Sequence, residues 1–92
     1  MRLSEQEIIN AVCLHVAERK QIQPNQVMVQ LMWDEDHGFS AEVEALGRNQ
    51  IFIEANLLEA IERYLWKEYN LRIYRQQIRL DLEDEIIADI AV

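Results

Sequence analysis

The chain has 92 residues, half of them hydrophobic, with two glycines and one proline; that length suits one α+β domain, spanning 1–92, and the composition excludes a disordered or low-complexity polymer. A formal net charge of −8 disfavours diffuse attraction to nucleic acid or an anionic membrane. No apolar run nears the roughly 18–20 residues of a membrane span, and the single cysteine, Cys13, excludes an internal disulfide.

The N-terminus carries Glu5 and Glu7 ahead of a short apolar stretch that Asn10 and His15 interrupt. That pattern is unlike a signal peptide, so a reducing cytoplasm is the expected compartment. Ser4 with Glu7 three residues on forms a capping box for a helix over 5–20. Ile9, Val12, Cys13 and Val16 share one face, with Ile8 at its edge, and Leu14 lies about 140° from Ile9 on the presumed solvent side. Arg19 and Lys20 suit the negative end of the helix dipole, and Pro24 ends the element.

From Val27 the period becomes two. Val27, Val29, Leu31 and Trp33 share one side, Met28, Gln30 and Met32 the other. After the polar run 34–38, Phe39, Ala41, Val43 and Ala45 alternate with Ser40, Glu42 and Glu44. Gly47-Arg48-Asn49 is expected to turn the chain into a third strand with Ile51 and Ile53 inward, which leaves Phe52 outward. Asn56 caps a second helix over 57–70, with Leu57, Leu58, Ile61, Tyr64 and Leu65 buried and Trp66 exposed. Ile78, Leu80 and Leu82 mark a fourth strand, and 86–92 a fifth whose register stays open at Ile86-Ile87. The expected fold is α+β, of order α-β-β-β-α-β-β, with both helices on one face of a mainly antiparallel sheet.

Three segments carry a family likeness: Leu3-Ser4-Glu5-Gln6-Glu7-Ile8-Ile9-Asn10-Ala11-Val12-Cys13, Gly38-Phe39-Ser40-Ala41-Glu42-Val43, and Ile53-Glu54-Ala55-Asn56. The chain resembles the YxcD-like family of small proteins from bacilli. The resemblance implies a Gram-positive cytoplasmic protein and supplies no catalytic residues or cofactor.

Covalent catalysis lacks its parts. There is no threonine; Ser4 is a cap, Cys13 sits on an apolar helix face, and neither His15 nor His37 stands in a motif beside Ser4, Ser40 or Cys13. No enzyme activity and no cofactor are therefore expected. Asp34, Asp36 and His37 gather hard or borderline metal ligands in one turn, the basis of an alternative reading as a divalent-metal-binding, hydrolytic protein, and Asp81, Glu83, Asp84 and Glu85 form a second acidic run. The first fails as a calcium loop, because Gly38 comes one place early and Ala45 stands where a bidentate glutamate belongs. Lys67, Arg72, Arg75 and Arg79, interleaved with Trp66, Tyr69 and Tyr74, form the one basic and aromatic cluster, a weak candidate for single-stranded nucleic acid. Apolar residues off the core faces point elsewhere. Met28, Met32 and Phe52 on the helix-free sheet face, with Leu14 and Trp66 on the helices, are the expected interface of a non-enzymatic protein-binding or homo-oligomerising module.

Overall fold

A computed structural model describes residues 1–92. Arg2–Leu3 make a short strand, β1, too brief for periodicity to reveal. Ser4 then starts helix α1 (Glu5–Lys20) by reciprocal capping: its Oγ accepts the Glu7 amide at 3.2 Å, and Glu7 Oε1 accepts the Ser4 amide at 3.4 Å. The helix ends at Gln21 in the left-handed conformation, where the Ile22 amide folds back to donate to the Ala17 carbonyl. Its buried stripe is Ile8, Ala11, Val12, His15 and Val16. That stripe is turned by most of one residue step from the expected one, so Ile9 and Cys13 are only half-buried.

After a 3₁₀ turn at Pro24–Gln26 come β2 (Val27–Asp34), β3 (Gly38–Ala45) and β4 (Arg48–Ile53), paired antiparallel in the order β2-β3-β4. The β3–β4 turn differs from expectation. Leu46 and Gly47, at φ 56° and 73°, make a two-residue turn that pairs Ala45 with Arg48. A turn placed one residue earlier than Gly47-Arg48-Asn49 reverses which side chains of β4 face inward. Phe52 is therefore core, 5 % exposed, while Ile51 and Ile53 are 56 % and 60 % exposed.

Helix α2 (Glu54–Tyr69) begins at Glu54 rather than Leu57. Asn56 lies inside its first turn, and its Oδ1 accepts the Ile53 amide at 3.0 Å. The helix buries Leu57, Ala60, Ile61 and Leu65. Two further strands follow, β5 (Ile78–Leu82) and β6 (Ile86–Ile90), and β6 runs between β1 and β5 as the centre of a second antiparallel sheet. The α+β class and the order α-β-β-β-α-β-β hold, with the strands divided into two three-stranded sheets.

Both helices cover the inner faces of both sheets. Val12, Val16, Leu57 and Ala60 pack with Ala41, Val43 and Phe52, while Ile8, Ile61 and Leu65 pack with Leu3, Ile78, Ala88 and Ile90. Leu31, Phe39 and Leu80 touch both clusters and join them into one core. No helix is long and apolar enough to cross a membrane.

Candidate interaction surface

The outer face of the β2-β3-β4 sheet follows from its register. Met32, Ser40 and Ile53 form one row; Gln30, Glu42 and Ile51 form the next; Met28, Glu44 and Asn49 form the third. No helix lies over these rows. Met28 is 68 % exposed and Met32 half-buried, and Ile51 and Ile53 are open as described. The face thus carries four large apolar side chains around Glu42 and Glu44. Of the residues expected on this face, Met28 and Met32 lie on it, and Phe52 does not: β4 turns it into the core beside the His15 ring, 6.4 Å between centroids. Leu14 and Trp66 are exposed on the helix side of the molecule, not on this face.

Strand β2 is also an edge. The Val27 amide donates to the Pro24 carbonyl and the Val27 carbonyl accepts from Cys13 Sγ, so Val27 turns its polar groups away from β3. By antiparallel alternation Val29, Leu31 and Trp33 do the same. Their side chains face the core, yet burial falls along the strand: Val27 is buried, Val29 and Leu31 half-buried, Trp33 44 % exposed. The core is unfinished along this edge.

The acidic turn has a structural task. Asp34 Oδ1 accepts the amides of Asp36 and His37 at 2.9 and 2.7 Å, and lies 3.1 Å from His37 Nδ1. These bonds, the His37 amide foremost, hold the Asp34 carboxyl below its ordinary pKa. Asp36 contributes only backbone to this arrangement. Nowhere in the chain do three His, Cys, Asp or Glu side chains come together as a metal-holding group, the carboxylates of 81–85 included. The basic cluster is likewise dispersed. Arg72 stacks over Trp66 at 4.7 Å, Arg75 faces Glu62 at 3.7 Å, and Arg79 reaches Asp89 and Asp81 on the outer face of the other sheet.

A cleft of about 650 Å³ opens along α1 and α2 and continues to the segment after α2. His15 forms part of its lining and is 6 % exposed. Its Nε2 lies 3.7 Å from Glu59 Oε1, and its buried Nδ1 has no partner. Burial lowers the His15 pKa, which keeps the ring neutral near pH 7. Glu18, three residues further along α1, is held by Arg63 and by Lys67 at 2.9 Å, and these bonds pull its pKa down to about 2.

The family model that matches residues 1–85 is described as a protein of unknown function, DUF2653. The chain belongs to that family. No curated protein and no solved structure matches it.

Sequence reasoning missed two features of that surface. Ile51 and Ile53 were hidden by the turn at Leu46-Gly47, since leucine rarely accepts a positive φ. His15 looked like an interruption of an apolar stripe. The spacing His15, Glu18, Arg19 on one helix and Glu59, Glu62, Arg63, Trp66 on the other was a usable signal, because positions three, four and seven apart share a helix face.

Proposed function

We propose that this protein is a non-enzymatic self-associating module, joined to a second copy through the β2 edge and the adjoining strip of bare sheet face. The observation that carries the reading is an eight-residue edge strand, Val27–Asp34, whose only charge is at its last position. The edges of the other sheet are guarded, since β5 carries Arg79 and Asp81 and β1 has two residues, while β4 is shorter than β2, six residues with one terminal charge at Arg48. Native proteins blunt exposed edges by such means, because unpaired amides and carbonyls template another strand.

The strand is self-complementary. An antiparallel partner centred on Leu31 brings Leu31 opposite its own copy and Val29 opposite Trp33, the positions whose polar groups point outward. On the bare face Gln30 then meets Met32, and Met28 meets Asp34, so no like charges face each other. Glu42 and Glu44 lie on β3, three strand spacings from their copies, about 14 Å. That exceeds a Debye length of about 8 Å at physiological salt, so the acids do not oppose this union. Pressing two bare faces together would instead bring both acids of each copy into one interface. The non-enzymatic part of the reading is supported by Ser4 acting as a cap, Ser40 being buried, and burial raising the Cys13 thiol pKa. The resemblance to YxcD-like proteins of bacilli supplies the setting, the cytoplasm of a Gram-positive cell.

Sedimentation velocity across a micromolar concentration series tests this. Wild type is expected to dimerise, and Trp33→Lys, which puts a charge into the seam with little cost to the fold, to remain monomeric with an unchanged melting temperature. A monomer at high micromolar concentration, or a dimer indifferent to both Trp33→Lys and Met32→Lys, overturns the reading.

A further inference from the structure

We propose that the cleft along α1 and α2 binds a small zwitterion of the amino-acid class, one with an ammonium end, a carboxylate end and an apolar or aromatic body. The inference is independent of the β2 edge, which lies elsewhere on the molecule.

The argument is an account of charges. Within the cleft lining, Glu18 is engaged by Arg63 and Lys67, and Glu62 faces Arg75. Three charges remain without an ion-pair partner of fixed charge. Arg19 meets no carboxylate, Arg72 rests only on the Trp66 ring, and Glu59 meets only the neutral His15. An anion alone would satisfy the arginines and face Glu59 unpaired; a cation alone would satisfy Glu59 and face two guanidinium groups. A molecule carrying both charges meets all three exposed groups with opposite charge, the arrangement that electrostatic complementarity favours.

The rest of the lining fits the same class of molecule. The guanidinium of Arg72 rests over the Trp66 ring at 4.7 Å, so its forked donors lose little freedom on taking a carboxylate. Trp66 and Tyr74, both exposed, offer apolar walls beside the charges. His15 also belongs to the lining: its Nε2 lies 3.7 Å from Glu59 Oε1, and its buried Nδ1 has no partner within the chain. The volume, about 650 Å³, lies in the range of ligand sites and admits a free amino acid or a dipeptide.

Isothermal titration calorimetry on the full chain tests this with each free amino acid, the dipeptide Phe-Phe, and two single-charge analogues, 3-phenylpropionate and phenethylamine. At least one zwitterion is expected to bind at millimolar concentration or below, with each analogue at least about tenfold weaker. Arg72→Gln and Glu59→Gln are each expected to weaken binding by about tenfold, a loss of about 1.4 kcal/mol. Circular dichroism on both variants separates loss of binding from loss of fold. Absence of binding by every zwitterion, an analogue that binds as tightly as the zwitterion, or binding that survives both folded variants overturns the proposal.

Discussion

The two sheets share the same pair of helices on their inner faces, and their outer faces could hardly be more different. Outside the β1-β6-β5 sheet, Asp89 on the central strand is clamped by Arg2 Nε at 2.9 Å and Arg79 Nη2 at 3.4 Å, and Arg2 also reaches Glu83 at 3.1 Å. Outside the β2-β3-β4 sheet the corresponding positions are Met28, Met32, Ile51 and Ile53. A sheet face meant for water is supplied with charges that answer one another across strands. The other face carries Glu42 and Glu44 with no cation opposite either, and four of its nine positions are large and apolar. The contrast supports assigning the second face and its edge to a partner.

The sharpest way to break this comparison is to exchange inside for outside on β4. Phe52→Ala is expected to destabilise the fold by about 3–5 kcal/mol through the cavity it leaves. Ile51→Ala, one residue away, should change stability by no more than about 0.5 kcal/mol in a dilute monomeric sample. Urea unfolding of the two variants reads the difference, and equal losses would mean that the strand faces the other way.

A smaller effect tests why β4 faces as it does. Leu46 is 62 % exposed and sits at φ 56°, where asparagine is tolerated and leucine is strained. Leu46→Asn should stabilise the fold by about 1 kcal/mol, measured by the same unfolding transition; a loss of stability would contradict the turn.

The smallest effect probes the charged face. Arg2 and Arg79 hold the Asp89 pKa below its ordinary 3.8. Asp89 therefore adds stability above pH 3.8 that is lost as pH falls through its lower folded value. Asp89→Asn is expected to melt slightly below wild type at neutral pH, with the gap closing in acid and in high salt. A gap that persists in both would mean that Asp89 acts through packing instead.

How much was legible beforehand follows from these same residues. The helices were, because Ser4 with Glu7 and a stripe of period 3.6 are local signals that tertiary contacts reinforce. So were β2 and β3, where alternation runs for eight residues each. The inward side of β4 was not, since Gln50-Ile51-Phe52-Ile53 reads equally well in either register and only the turn decides. The turn in question uses leucine where glycine or asparagine advertises itself. Strand β1 was invisible because two residues have no period. The candidate metal turn was ambiguous for a related reason: Asp34 and His37 lie three residues apart where the hairpin folds, and carboxylates that cap amides look the same on paper as carboxylates that await an ion.

One consequence of the second sheet concerns the order in which the chain is made. The Met1 ammonium donates to the Ile90 carbonyl, and the Ile90 amide donates to the Met1 carbonyl, so the first and last strands are stitched together. The strand that both β1 and β5 need, β6, is the last of the six in chain order. The β2-β3-β4 meander, complete at Ile53, has all its strands long before then. Contacts of such long sequence separation close late, because the intervening chain must first be ordered. During synthesis, therefore, the nascent protein presents the unguarded β2 edge while half of its core still waits for residues 86–90.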